Sequence, residues 1–506
     1  MLAFILSSVI GLIRQILVAN AFGTQSDIEA FNAANRVSET LFNLVAGGAL
    51  ASAFIPTFTG LLTQKQRSEA WRLASAIFNL ILLIISLACL LAAFFAPQIV
   101  RYVLAPGFAS DPAKESLAVT LLQIMLPSAV IFAISGLVMG ILNSYQVFFI
   151  PALAPSMYQI GMIIGVLGLS PRYGIFGLAW GVLIGAILHL LLQVPVLLRL
   201  KGNYFPGLGL QDSNVREVGR LMLPRLLGAA AVQINFWVNT RLASQQTEGS
   251  VTGLVIAFAL MLMPQAAIAQ SIAIAAMPTF SAQVALGRMR EMRSSLAASL
   301  RGVLLLGTPA SLGLMLLRTQ LVATLYQRGQ FDEHSTELVA WALLWFAAGL
   351  VGHSVVEIVS RAFYSLHDTK TPVFLGIGAM ALNVLFSLAF TALFGRIGWL
   401  ELGGLALANS LATALEMLAL LFIIRLRLGG LESRSLLIAA AQALIAALLM
   451  SLALWGWISL TAGRAAWQVA AGGILIGGLV YGISGWILGI REIRNLVSSA
   501  TRRLAR

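Results

Sequence analysis

Residues 73–100 read LASAIFNLILLIISLACLLAAFFAPQIV, a stretch with no charged side chain between Arg72 and Arg101. A helix needs about 20 mainly apolar residues to cross the hydrocarbon core of a bilayer, so this stretch predicts a transmembrane helix. Similar runs recur along the whole 506-residue chain, which is 59% hydrophobic and only 10% charged. Such a composition excludes a soluble single-core protein. The sequence therefore predicts an all-α integral membrane protein.

Short charged or Gly/Pro-rich loops separate the apolar runs, and we predict about 14 transmembrane helices on this basis. The predicted spans cover residues 2–22, 31–62, 74–103, 117–142, 149–170, 174–198, 218–242, 251–284, 296–317, 338–363, 372–394, 402–424, 436–460 and 466–490.

Positive charge alternates between successive loops. Twenty lysines and arginines fall in the even-numbered loops and after the last span, whereas seven fall in the odd-numbered loops. Because short cytoplasmic loops carry an excess of Lys and Arg, the alternation predicts an even number of spans and two cytoplasmic termini. The net charge of +13 is then explained by topology beside anionic headgroups, and nucleic-acid binding is not expected.

The sequence offers no catalytic pattern. The single cysteine, Cys89, lies in an apolar run and is expected to pack between helices. The four histidines lack the H-x-x-x-H spacing of a zinc hydrolase, and no Walker-type loop precedes a lysine. We therefore expect a transporter, not an enzyme, with no cofactor other than a coupling monovalent cation.

Glycines recur at every fourth residue in several spans, a spacing that lets helix backbones approach closely inside a membrane. We predict helix contacts at the sets Gly161 and Gly165; Gly177, Gly181 and Gly185; Gly473 and Gly477; and Gly478 and Gly482.

Ionisable side chains inside the predicted spans are costly and indicate functional sites. Arg14 has no acidic neighbour on its own helix, so we predict that its guanidinium binds an anion such as phosphate. Arg36 and Glu39 are three residues apart, so a mutual ion pair competes with a ligand role. For Arg225, snorkelling to headgroups competes with ligand binding. Glu416 is a lone carboxylate that either carries a proton or caps a polar group of a neighbouring helix.

Short motifs follow one another in order along the chain. The longest is GILNSYQVFFIPALAP at 140–155, and others are GLIR at 11–14, GGA at 47–49, LYQRGQF at 325–331 and RAFYSLHDTKTP at 361–372. Together they resemble the MurJ/MviN family of lipid flippases, a branch of the superfamily that contains the MATE exporters. The resemblance runs over nearly the whole chain.

This resemblance implies two six-helix lobes arranged in a V around a cationic cavity, followed by a C-terminal helix pair. Residues 1–206 would form the first lobe, 207–430 the second, 431–490 the accessory helices and 491–506 a basic cytoplasmic tail. The implied function is transport of lipid II, a peptidoglycan precursor, from the cytoplasmic to the outer leaflet of the bacterial inner membrane by alternating access. The family's ion-coupling positions would fall near Asn239, Asn383 and Ser387, and Glu416 is a further candidate.

The sequence departs from the family where cavity charges are expected. Phe42, Gly47 and Ala259 occupy positions at which the family carries charged residues, whereas Arg14 is retained. Glu29 stands where the family often has aspartate. The predicted substrate-binding set is Arg14, Glu29, Arg36, Glu39 and Arg225.

Three alternatives stay open. The missing arginines favour a flippase for another polyprenyl-diphosphate-linked glycan. A MATE-like cation-coupled exporter would need a carboxylate in the first helices, and the first span has none. A scaffold for cell-wall enzymes would tolerate every cavity substitution. The expected partners are the lipid-linked diphosphate glycan, membrane lipids and cell-wall synthesis enzymes.

Overall fold

The computed structural model describes the backbone of residues 2–45, 49–490, 492 and 494, and the side chains of residues 6–44, 53–223, 226, 228–490, 492 and 494. These residues form helices and loops and contain no strand. The α-helices are α1 (Leu2–Phe22), α2 (Ser26–Val45), α3 (Ala49–Thr63), α4 (Arg67–Phe94), α5 (Ala96–Gln98), α6 (Pro112–Ser144), α7 (Phe149–Ile164), α8 (Ser170–Tyr173), α9 (Ile175–Leu191), α10 (Val194–Arg199), α11 (Ser213–Ala243), α12 (Ser250–Gln265), α13 (Ser271–Ala285), α14 (Met289–Tyr326), α15 (Glu333–Ala348), α16 (Leu350–Ser365), α17 (Lys370–Arg396), α18 (Leu402–Arg427), α19 (Ser433–Leu460) and α20 (Ala466–Ile487).

Every predicted span coincides with one or more of these helices. Ten helical segments of the described chain are long and apolar enough to cross a membrane, and two bent pairs raise that number to 12. The first and second predicted spans correspond to shorter apolar helices, Leu6–Phe22 and Ala53–Thr63. The all-α membrane fold is therefore confirmed, while the count of 14 stays a prediction. Residues 46–48, which include Gly47, lie outside the described residues.

Large apolar side chains are exposed along the helices. Phe94 is 77% exposed and Leu460 is 85% exposed. Side chains of this size on the outer face of a long helix are stable in contact with lipid, where they cost no hydration free energy. The exposed surface thus agrees with a multi-pass membrane protein.

The chain divides into two compact units. The first contains residues 1–252 and 328–331, and the second contains residues 253–327 and 332–506. Helix α11 packs on α2 and α3 and so belongs to the first unit, although the predicted lobe boundary lies before it, at residue 206. Helices α19 and α20 pack on α14 within the second unit. The division into lobes by topology stays a prediction.

Close glycine contacts join α7 to α9 in the first unit. A Cβ on Gly161 would overlap the backbone of Gly185, and one on Gly165 would lie 2.7 Å from the Cα atom of Gly181. The predicted glycine contact is therefore confirmed for this helix pair. It is wrong for Gly478 and Gly482, because a Cβ on either would meet no atom within 4 Å. These two glycines have open space beside them instead of a neighbouring helix.

Candidate functional site

Arg14 lies on α1 and points toward α7. Its Nη1 atom lies 3.2 Å from Sδ of Met162, and its Nε atom is buried with no hydrogen-bond partner. Among the described side chains, no carboxylate forms an ion pair with this guanidinium. A half-buried guanidinium with an unused donor and no carboxylate partner among the described side chains can donate hydrogen bonds to an anion. The structure therefore agrees with the predicted anion-binding role of Arg14, which stays a prediction.

Two polar side chains of α7 lie near Arg14. A Cβ on Gly11 would lie 3.6 Å from Nε2 of Gln159, which places this amide against α1. The Oε1 atom of Gln159 is buried without a hydrogen-bond partner. Tyr158 lies within electrostatic range of both Arg14 and Glu39. Sequence reasoning missed these residues, because the glycine spacing and the motif at 140–155 were the signals that it used in α7, and neither includes Tyr158 or Gln159.

Arg36 and Glu39 form an ion pair on α2. Arg36 Nη1 lies 3.1 Å from Oε2 of Glu39, and Asn35 donates to the other carboxylate oxygen at 2.9 Å. The Arg36 guanidinium also lies over the ring of Phe236, 5.1 Å from its centroid. Of the two alternatives left open by the sequence, the structure contains the ion pair at three-residue spacing, and the ligand role stays a prediction. Because Glu39 offsets the charge of Arg36, Arg14 is the less compensated of these two cations.

Aromatic side chains connect α2, α6 and α7 near the Arg36–Glu39 pair and Tyr158. The ring of Phe42 packs on Phe132 at 4.9 Å, and Phe132 packs edge-on against Tyr158 at 5.1 Å. Trp237 of α11 donates to the hydroxyl of Thr40 at 2.8 Å and so holds α11 against α2. Phe42, at a position where the family resemblance led us to expect an arginine, therefore makes an apolar contact here.

Glu29 belongs to a different cluster from Arg14, near the start of α2. Lys114 Nζ lies 2.6 Å from its Oε2 atom, and the backbone N–H of Val251 donates to its Oε1 atom at 2.8 Å. The Lys114 ammonium also lies 4.4 Å from the ring centroid of Phe108. Glu29 is only 2% exposed, so its carboxylate is already engaged by the protein. No local signal predicts this pair, because its residues are 85 positions apart.

Three of the predicted ion-coupling residues make hydrogen bonds within their own helices, and the fourth, Glu416, does not. In the first unit, Asn239 donates to Oδ1 of Asn235 at 3.1 Å. In the second unit, the hydroxyl of Ser387 lies 3.5 Å from Oδ1 of Asn383, and Glu416 lies beside α17. Their role in ion coupling stays a prediction. The side chain of Arg225, another predicted site residue, lies outside the described residues.

Two arginines of α14 were not among the ionisable residues that the sequence analysis singled out. Arg301 forms ion pairs with Glu432 at 3.4 Å and Glu492 at 3.5 Å, so its charge is neutralised within the second unit. Arg318 donates from Nη1 to the carbonyl of Met315 at 2.6 Å. Arg318 lies just beyond the predicted end of its span, whereas the structure continues α14 to Tyr326.

The chain is similar to known proteins over most of its length. The family model described as "Lipid II flippase MurJ" matches residues 18–471. The chain belongs to the MurJ lipid II flippase family. It is 31% identical over 414 residues to the lipid II flippase MurJ of Burkholderia cenocepacia, with 80% of each chain covered. It is 29% identical over 502 residues to a probable lipid II flippase MurJ of Bdellovibrio bacteriovorus, covering 98% of this chain and 94% of that one.

Solved structures agree with this family assignment. A lipid II flippase MurJ in an inward closed conformation superposes with a TM-score of 0.83 at 26% identity, covering 98% of this chain and 99% of that one. A MATE-family multidrug resistance transporter of the MOP superfamily reaches 0.71 at 16% identity, covering 84% and 94%. The second likeness shows a shared fold alone.

Proposed function

We propose that this protein moves lipid II from the cytoplasmic to the outer leaflet of the bacterial cytoplasmic membrane, with both termini in the cytoplasm. The observation that carries the proposal is the match to a lipid II flippase over 98% of the chain. The site chemistry supports it, because Arg14 offers donors without a carboxylate partner among the described residues. A diphosphate is the kind of anion that a guanidinium binds bidentately.

The mechanism follows from the cost of moving an anion through hydrocarbon. A charged headgroup cannot cross a bilayer at a useful rate without a polar path. We propose that Arg14 binds the diphosphate, that Gln159 and Tyr158 provide further hydrogen-bond donors, and that the polyprenyl tail remains in lipid. Alternating access would then expose the headgroup first to one face of the membrane and then to the other. Arg36, Glu39 and Arg225 remain proposed substrate ligands, whereas Glu29 is proposed to order the bundle that surrounds the site.

The test is a flipping assay in proteoliposomes that contain fluorescent lipid II, in which a reagent added outside modifies the exposed headgroups. We expect Arg14→Ala to lose at least about tenfold in rate, since a charge-assisted hydrogen bond contributes roughly 1.5–3 kcal/mol. Arg14→Lys should recover part of this loss, because lysine restores the positive charge but cannot bind the diphosphate bidentately as a guanidinium does.

The matched control is Arg172→Ala, which removes an exposed arginine at the loop end of α8. Both variants should reconstitute in equal amounts and should retain the thermal stability of the wild-type protein. Full flipping activity in Arg14→Ala would remove Arg14 from the site. No flipping by the wild-type protein would refute the proposed function itself.

A second substrate is favoured by one observation, the apolar contact of Phe42 with Phe132 at a position where the family carries charge. A less cationic site would suit another polyprenyl-diphosphate-linked glycan. Competition in the same vesicles distinguishes the two substrates, because the preferred headgroup should inhibit flipping of the other at the lower concentration. Coupling to a monovalent cation and contact with cell-wall synthesis enzymes are further parts of the proposal.

A further inference from the structure

The second unit contains a broken helix whose break is filled by side chains of other helices. Helices α15 and α16 meet at Gly349 with a bend of 46°. Ser410 of α18 donates to the carbonyl of Trp345 at 2.7 Å, and Ser311 of α14 donates to that of Ala347 at 2.6 Å. A bend frees backbone carbonyls, which must find partners inside a membrane. Broken helices of this kind accompany ion and substrate paths in transporters.

Polar groups continue from this break along the interface between α16 and α18. One turn beyond the break, Nε2 of His353 lies 3.0 Å from Oδ1 of Asn409 and 3.3 Å from the hydroxyl of Thr413. The next turn of α16 carries Glu357, which accepts from Arg361 at 2.9 Å. His353, Asn409 and Thr413 thus form a polar contact between α16 and α18, and Glu357 with Arg361 continues the polar side chains of α16 at intervals of about one turn.

Glu416 lies on α18 one turn after Thr413 and has no charge partner. Within the described part of the chain, no hydrogen bond or ion pair to its carboxylate is found. It lies beside Gly376 of α17, where a Cβ would lie 3.5 Å from Oε1 of Glu416. Tyr364, near the end of α16, lies within electrostatic range of Glu416 and of the ion pair of Glu357 with Arg361.

The position of Glu416 along α18 places it deep in the membrane. At 1.5 Å per residue, it lies about 21 Å from the first residue of α18 and about 16 Å from the last. A glutamate side chain is too short to reach either surface from this depth. An unpaired carboxylate there is expensive to keep ionised, so a proton is the simplest species that neutralises it.

A metal ion satisfies this geometry less well than a proton. Hard cations such as Ca²⁺ take six or more oxygen ligands, and among the described residues no group of three His, Cys, Asp or Glu side chains could hold a metal ion. The other charged and titratable groups near α18 lie at helix ends or are already engaged. On the helices packed against α18 these groups are Glu333, His334 and Glu337 of α15; His353, Glu357, Arg361 and Tyr364 of α16; and Lys370 and Arg396 of α17.

We propose that Glu416 is a proton-binding site, reached along the polar interface between α16 and α18, and that its protonation couples the pH gradient to transport. In the binding step a hydronium ion gives its proton to one carboxylate oxygen, so that one O–H bond forms, one breaks and water leaves. The coupling half of this inference rests on the proposed flipping activity, whereas the proton site does not.

The proton site is tested by infrared spectroscopy of the protein reconstituted in lipid, as a difference spectrum between two pH values. A carboxyl group that takes up a proton produces a C=O stretching band above the amide region. We expect Glu416→Gln to remove one such band and Glu401→Gln, a matched change at the start of α18, to leave it. If Glu416→Gln fails to fold, Glu416→Asp should retain a band at a shifted frequency. A wild-type spectrum that Glu416→Gln leaves unchanged would overturn the proton site.

The coupling is tested by flipping of fluorescent lipid II under an imposed gradient of one pH unit. This gradient is a tenfold ratio of proton activity, so the wild-type rate should change by up to about tenfold. Glu416→Gln should respond by less than about twofold, while Glu401→Gln responds like the wild type. Equal gradient responses in wild type and Glu416→Gln would overturn the coupling. A Glu416-dependent infrared band in a protein that flips no lipid II would instead refute the proposed function and leave the proton site intact.

Discussion

The buried ion pair between Glu29 and Lys114 makes the most quantitative prediction about the first unit. Their charged atoms are 2.6 Å apart, and the side chains are only 3% and 10% exposed. Removing one partner of such a pair leaves an uncompensated buried charge, which costs about 3–5 kcal/mol. We therefore expect Lys114→Met, which keeps an apolar stem beside Phe108 and removes the ammonium, to lower the free energy of unfolding by that amount. The carboxylate would then keep its backbone contacts with Val251 and Gly249.

The measurement is reversible unfolding in mixed micelles, followed by circular dichroism as the denaturing detergent is increased. The control is the exposed pair of Glu69 with Arg72, at 4.0 Å, for which Glu69→Gln should cost no more than about 1 kcal/mol. The double variant Glu29→Gln with Lys114→Met should recover most of the loss, because neither charge is left buried. A loss for Lys114→Met no larger than that for Glu69→Gln would refute the reasoning.

Two further predictions concern helix packing and pH. Gly161→Leu should prevent the contact of α7 with Gly185 and reduce the yield of folded protein in size-exclusion chromatography. Gly478→Leu is the control and should behave like the wild type, because this glycine has open space beside it. Equal yields of the two variants would contradict the glycine contact. The backbone N–H and hydroxyl of Ser335 hold the pKa of Asp332 below its ordinary value. The stability that this N-cap gives to α15 is therefore fully present at pH values above the ordinary pKa. It is lost as the pH falls through the lowered pKa of the folded protein. Thermal unfolding between about pH 6 and pH 3 should show this loss in the wild type, and an unchanged slope in Asp332→Asn would contradict it.

Sequence spacing was sufficient to indicate a side-chain contact where both residues lie within one turn of the same helix. The spacing of Arg36 and Glu39 made a mutual ion pair one of two alternatives, and the structure contains that pair. Glu29 shows the opposite case, because its partner Lys114 comes from α6 and was interpreted only as a loop charge. The glycine pattern likewise predicted the contact between α7 and α9 but failed at Gly478, since spacing alone does not say whether a helix lies opposite.

The sequence by itself determined the membrane class, the apolar segments that become helical and the charge alternation between loops, because each depends on the free energy of transferring a short segment from water to hydrocarbon. The tertiary structure alone decided which buried charges are paired. Glu29 is neutralised by Lys114, whereas Arg14 and Glu416 have no charge partner among the described side chains. Pairing depends on distances between helices that are far apart in the chain, and these distances follow from packing, on which a local hydropathy pattern carries no information.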